Sequence, residues 1–262
     1  MPRLEPATYL EFIRTESERF REVLGEVDPA ARVPTCPEWD ASDLLWHLTG
    51  VQRFWTRAVR ARPDKPEELE VPRPSSHPEL LRSFDTVTGE FSEVLAGAGM
   101  AEPAWTWAAE QTVGFIQRRQ AHEVLVHRLD AELTLGAVSP VDPQLAADGV
   151  EEVLDVMFGS VPEWGKFTPG EGLLRVDPDD ARWPVWIQLG TFSGTDPEGR
   201  SFREPDIAVV DDPGVEPDAV LTGAAAAIDA WLWRRGDESE LIVHGQRRIF
   251  DQFRSVIDHP IN

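Results

Sequence analysis

Residues 122–127 read HEVLVH and bring two histidines and a glutamate within six positions. Imidazole and carboxylate are ligands of divalent transition metals, so the chemistry these residues suggest is metal binding. The spacing differs from the H-E-x-x-H of metalloproteases, in which both histidines share one helical face. On a helix, residues four apart lie about 40° from each other and residues five apart about 140°. Glu123 and His127 therefore share a face, whereas His122 points away from His127. The pair able to chelate one ion is Glu123 and His127.

The helix that carries them is expected to turn Ile116, Arg119, Glu123, Val126, Asp130 and Leu133 inward. Gln117, Arg128 and Glu132 then form its solvent face. An arginine, a glutamate and an aspartate aimed at an interior are costly unless paired. A bound cation satisfies them, and so does an internal salt-bridge network. His47 lies between Leu44 and Leu48 on the inward stripe of an earlier helix. It is either a satisfied core histidine or a third ligand facing Glu123 and His127. Two imidazoles and one carboxylate would leave positions for water or substrate, the composition of catalytic rather than structural zinc. The set also suits nickel, manganese or iron. Asp130 and Arg119 are placed to orient the ligands from behind.

Four helices must position these groups. Tyr9, Ile13, Phe20, Leu24 and Val27 make one stripe that ends before Asp28-Pro29. Asp40 is a natural N-cap, with Asp43 three residues on, for a helix carrying Leu44, Leu48, Val51, Trp55 and Ala58 to a stop near Pro63. The run RPDKPEELEVPRPSSHP reads as a long loop. A third helix carries Leu81, Phe84, Val87, Phe91 and Leu95, and the fourth runs over about 114–135 with Gly136 as its C-cap. Four amphipathic helices predict a four-helix bundle over 1–137.

Past Gly136, AVSPVDP reads as a linker, followed by a helix through LAADGVEEVLDVMF. Short β-type runs follow (LLRV, WPVWIQL, IAVV, AVLTG), then the apolar helix AAAAIDAWLW, the run LIVHG and a last helix, RRIFDQFRSVI. This order predicts a smaller mixed α+β domain over 138–262, making the chain α+β as a whole.

Composition narrows the partners. The 262 residues hold 25 basic and 47 acidic side chains, a formal charge of −22 that argues against nucleic acid or anionic membrane. No apolar run approaches the roughly 20 residues of a membrane span, and the first residues lack the apolar stretch of a secretory signal. The single cysteine, Cys36, has no partner for an internal disulfide, and a cytoplasmic location is expected. Cys36 itself reads as a half-buried packing thiol. His77 and His259 fall in apparent loop and tail contexts, and His244 in a strand or turn. The ten tryptophans serve packing, with one or two available to wall a metal cavity.

Two stretches, VPTCPEWDASDLLWHLTGVQRFW and RRQAHEVLVHRLDAE, resemble the signature segments of the mycothiol-dependent maleylpyruvate isomerase family, within the DinB-like metal-binding four-helix bundles. VLTGAAAAIDAWLWRRGDESELIVHG looks like that family's C-terminal α+β domain, so the resemblance spans nearly the whole chain. It implies that His47, Glu123 and His127 hold a divalent metal, most readily zinc, and that mycothiol is the cosubstrate. In that family the thiol adds to a conjugated double bond and leaves again after rotation, while related enzymes keep the adduct as S-transferases. The resemblance further implies an arginine from the C-terminal domain, for which Arg235 is the nearest counterpart, beside Arg119 of the bundle. Both are candidate catalytic groups for a small electrophilic and acidic substrate. The chain departs from the family's run at Arg234, where a small residue is expected. Two other readings are a non-catalytic metal- or ligand-binding protein and a metal-dependent hydrolase that activates water.

Overall fold

The computed structural model describes residues 3–181 and 183–258. His259 lies outside them. The chain divides into two compact units, one over Leu4–Pro140 and the other from Val141 onward.

The first unit is built on four long helices. Helix α1 (Pro6–Glu26) buries Tyr9, Ile13, Phe20, Val23 and Leu24. A short antiparallel ribbon follows, β1 (Arg32–Val33) and β2 (Cys36–Asp40). Helix α2 (Ala41–Ala61) begins on the expected Asp40 cap, whose carboxylate accepts from the Asp43 N–H while the Asp43 carboxylate accepts from the Asp40 N–H. Such reciprocal caps satisfy two N–H groups that a helix start otherwise leaves open. Helix α3 (His77–Ala96) is fixed by Glu79, which accepts from the backbone and hydroxyl of Ser76. Helix α4 (Val113–Leu135) ends on Gly136, whose φ of 81° is the left-handed geometry that glycine adopts at no steric cost. Helix α1 packs on α4 and α2 on α3. Phe20, Leu24, Leu44, Leu45, Leu48, Leu80, Phe84 and Val124 meet in one buried cluster.

Several expectations are corrected here. His77 is not in a loop: it opens α3, and its ring bonds the Ser42 hydroxyl at 2.9 Å and the Leu24 carbonyl at 2.7 Å. The expected solvent face of α4 is buried, with Gln117, Arg128 and Glu132 each no more than 1% exposed. Arg128 donates to Glu16 of α1 and to Glu132, while Glu132 also accepts from Arg19. Ion pairing with α1 is what permits these charges to be covered.

The second unit contains helix α5 (Pro143–Glu152), a π-helical turn (Val153–Phe158) and a five-stranded mixed sheet. Strands β3 (Gly165–Pro178), β4 (Val185–Thr195) and β5 (Ser201–Val210) form an antiparallel meander. Strand β6 (Ala219–Gly223) joins β3 in parallel, and β7 (Ile242–Gly245) closes the order β5-β4-β3-β6-β7. The run LLRV is thus the middle of a 14-residue strand. Helix α6 (Ala225–Leu232) packs on α5, and α7 (Arg247–Ile257) covers the sheet with Ile249, Phe250 and Phe253. No described helix is long and apolar enough to cross a membrane.

Candidate metal centre

Arg119, Glu123, His127 and Asp130 follow one another along one face of α4, at spacings of four, four and three residues. Each is bonded to the next. Arg119 Nη2 donates to Glu123 Oε2 at 3.1 Å, His127 Nε2 lies 3.3 Å from Glu123 Oε1, and His127 Nδ1 lies 3.0 Å from Asp130 Oδ2. The salt-bridge network considered from the sequence is therefore present. Within it the two oxygens of Glu123 are divided, with Oε2 turned to Arg119. The other, Oε1, faces His127 and also His47 of α2, whose Nε2 is 3.8 Å away.

One donor atom from each of His47, Glu123 and His127 lies within 4.8 Å of the other two. An ion with bonds of about 2.1 Å in tetrahedral geometry holds its donors about 3.4 Å apart. The two separations to Glu123, 3.3 and 3.8 Å, lie close to that requirement, and the two imidazole donors are within 4.8 Å of each other. The imidazole rings of His47 and His127 approach edge to face, with centroids 4.8 Å apart.

Supporting groups hold the histidines in place. Asp130 is fully buried and engages Nδ1 of His127, which turns Nε2 toward Glu123 and His47. The hydroxyl of Thr35, between β1 and β2, donates to the second oxygen of Asp130. A carboxylate behind a ligating imidazole is the usual means of fixing its tautomer and orientation. His47 is packed by Trp39 of β2, with ring centroids 4.7 Å apart. Sequence reasoning missed Thr35 and Trp39, because neither residue type nor spacing marks them before the ribbon is known.

Electrostatics follow from this packing. Burial pushes the Glu123 carboxyl upward, but hydrogen bonds from His127 and His47 and the Arg119 charge hold it well below the ordinary carboxylate range. Burial opposes a charge on His127, yet its bonds to Asp130 and Glu123 outweigh that and raise its pKa to about 9. The centre is thus organised around a cation, supplied either by a proton on His127 or by a metal ion that replaces it.

Beside His47 lies an open cleft of about 750 Å³, lined in part by Trp39, Trp46, Gly50, Phe54 and Trp55. Gly50 stands in the interior of α2, where glycine costs roughly 1 kcal/mol relative to alanine. The signal in the sequence that points to this cleft is its tryptophans, of which Trp39, Trp46 and Trp55 line it.

The remaining sequence candidates are placed as follows. His122 is buried on α4 and outside the group of three. Arg235 belongs to the second unit, where its Nη1 donates to the Trp233 carbonyl. Arg234, at φ 62°, donates to the Ile257 carbonyl. Cys36 packs half-buried against the core cluster, and His244 lies in β7.

The sequence matches the Mycothiol maleylpyruvate isomerase N-terminal domain over residues 10–132 and the MDMPI C-terminal domain over residues 144–251. No curated protein sequence matches the chain. Two solved structures share its fold, the mycothiol-dependent maleylpyruvate isomerase and a histidine-to-alanine mutant of it. Each superposes with a TM-score of 0.58 at 15% identity, covering 92% of this chain and 93% of the other. With two matched domains that leave only the ends and a short connector uncovered, the chain belongs to the mycothiol-dependent maleylpyruvate isomerase family.

Proposed function

We propose that this protein is a metal-dependent enzyme that uses a low-molecular-weight thiol, mycothiol, to isomerise a small electrophile or to transfer sulfur to it. The observation that carries this reading is the convergence of His47, Glu123 and His127 from two helices, with Asp130 locking one imidazole from behind. The solved structures of the same fold bear the name mycothiol-dependent maleylpyruvate isomerase, which supports an isomerase reading. Zinc fits two imidazoles and a carboxylate, as do nickel, manganese and iron.

A divalent ion held by these three residues supplies a charge that favours the thiolate over the thiol. The protein's own groups do the rest. Asp130 keeps the proton of His127 on Nδ1, so that Nε2 presents its lone pair to the centre. Arg119 holds Oε2 of Glu123 and so turns Oε1 toward the imidazoles. Trp39 braces His47. The cleft beside His47 offers aromatic walls, from Trp39, Trp46 and Phe54, against which a conjugated substrate can lie. In isomerisation the thiolate sulfur adds to a conjugated carbon and pushes the π pair onto the adjoining carbonyl as an enolate, the former double bond rotates, and the enolate pair rebuilds the double bond as the sulfur leaves with the carbon–sulfur pair. In S-transfer the new carbon–sulfur bond is kept and the displaced group leaves with the electron pair.

The test is thiol dependence. Protein loaded with zinc is incubated with a bimane or maleyl electrophile, with and without mycothiol. Consumption only in the presence of thiol is expected. Turnover without thiol would make the protein a hydrolase, and no reaction in either case would make it a binding protein.

A further inference from the structure

We propose that the second unit holds a binding site of its own, for a small organic cation carrying an alkylammonium group. The site is a cavity of about 300 Å³ at the β5 edge of the sheet, walled by residues of the π-helical turn, β4, β5 and α7. All of its lining belongs to the unit that begins at Val141, so it shares no residue with the centre at His47, Glu123 and His127.

Aromatic rings form its walls, and the backbone is shaped to hold them. Trp164 meets Phe192 with ring centroids 5.4 Å apart and Phe202 at 5.5 Å. Two glycines make this possible. A Cβ at Gly165 would come within 2.1 Å of the Phe192 ring, and one at Gly194 within 3.0 Å of the Trp164 ring. Side chains there would push both rings away from the sheet. The π-helical turn adds Met157 and Phe158 and ends on Gly159, where a Cβ would lie 2.9 Å from the Leu154 carbonyl oxygen. Turns of this kind are rare and occur frequently at functional sites. Trp164 remains 38% exposed, so part of its ring is left for a ligand.

Charge defines that ligand. Phe202, Glu204 and Asp206 alternate along β5 and share a face, with Glu204 opposite Phe192 and Asp206 opposite Gly190. Both carboxylates line the cavity. Asp206 is half-buried, and one of its oxygens accepts from the Ile207 N–H at 2.8 Å. Neither carboxylate is paired with a basic side chain among the described residues. Burial pushes the Asp206 carboxyl upward; the Ile207 N–H opposes this, and the Glu204 charge adds to it. Two like charges beside apolar walls thus lack a counter-ion. Acidic residues on an edge strand also deter pairing with other chains, but that role calls for no aromatic cavity beside them. A bare divalent ion demands a shell of oxygen ligands, whereas indole and phenyl faces attract organic cations.

The inference is independent of the reaction proposed above. Full-length protein is titrated by calorimetry with choline and with tert-butylethanol, the uncharged isostere in which carbon replaces nitrogen. Choline should bind with a millimolar Kd, and the alcohol at least about tenfold more weakly. Trp164→Leu and Asp206→Asn should each weaken choline binding about tenfold, with Trp164→Phe recovering part of the loss. If Trp164→Leu lowers Tm, Asp206→Asn and Trp164→Phe decide the matter, since one keeps the shape of the side chain and the other the aromatic wall. His47→Ala, which removes a ligand of the candidate metal centre, should leave choline binding unchanged, and calcium should not compete. No binding up to about 10 mM choline, equal binding of the alcohol, or displacement by calcium would overturn the proposal. Choline binding that ignores Asp206→Asn, or that is lost in His47→Ala, would overturn it as well.

Discussion

Without an ion, His127 keeps its second proton up to a pKa of about 9, because carboxylates face both ring nitrogens. A metal ligated at Nε2 needs the lone pair that this proton occupies. Binding near neutrality must therefore expel close to one proton per ion from His127. Glu123, held well below the ordinary carboxylate range, is already ionised and contributes none. Raising the pH from 7 to 9 takes His127 from almost fully protonated to half protonated. Zinc affinity should rise about 50-fold over that interval, equivalent to ~2.3 kcal/mol. Calorimetric titration with zinc against a competing chelator, in two buffers of different ionisation enthalpy, measures both the affinity and the proton released. A flat affinity between pH 7 and 9, with heats independent of buffer, would refute the reasoning. The same proton bears on folding. The folded pKa of His127 is raised, so its contribution is complete below the unfolded value of about 6.5 and is lost as pH rises through about 9. Metal-free protein should accordingly lose stability between pH 6.5 and 9, and zinc-loaded protein should not.

Other perturbations have separate outcomes. Asp130→Asn keeps the shape of the buried group but removes the charge opposite His127 Nδ1; zinc affinity at pH 8 should fall 10- to 100-fold, measured by chelator competition. Arg128→Leu leaves Glu16 without its partner and removes one of the cations on Glu132, and should destabilise the fold by about 3 kcal/mol in urea titration. Cys36→Ser should leave thiol-dependent turnover unchanged, because the nucleophilic sulfur comes from the cosubstrate and Cys36 is a packing group. Leu44→Ala, in a position with no exposed surface, should cost 2–5 kcal/mol without changing zinc stoichiometry, as read by urea titration and elemental analysis.

What was legible in the sequence was what depends on residues close together in the chain. The Asp40–Asp43 cap and the glycine after α4 act within a few positions, so the ends of both helices could be read directly. The shared face of Glu123 and His127 follows from helical spacing alone, and His47 from its place between two buried leucines. The faces of α4 were legible only in part. Arg128 and Glu132 look like solvent residues until Arg19 and Glu16 arrive from α1, more than a hundred positions away. The β1–β2 ribbon is too short for any periodicity, so the positions of Thr35 and Trp39 behind the centre could not be anticipated. The first half of β3 contains Pro169, Gly170 and Gly172, residues that read as a turn and are carried in the strand across an irregular register with β4. His77 was obscured by the proline-rich run before it, although Ser76 and Glu79 carry the capping signal that starts α3.

Anomalous diffraction from crystals of the zinc-loaded protein, recorded at the zinc edge, tests the metal assignment most directly. The expected result is one peak per chain within about 2.0–2.2 Å of a donor atom from each of His47, Glu123 and His127, with Asp130 still on Nδ1. Diffraction in which the contacts among Arg119, Glu123, His127 and Asp130 persist and no anomalous peak lies between them would show that these side chains form an ion-pair network and not a metal site.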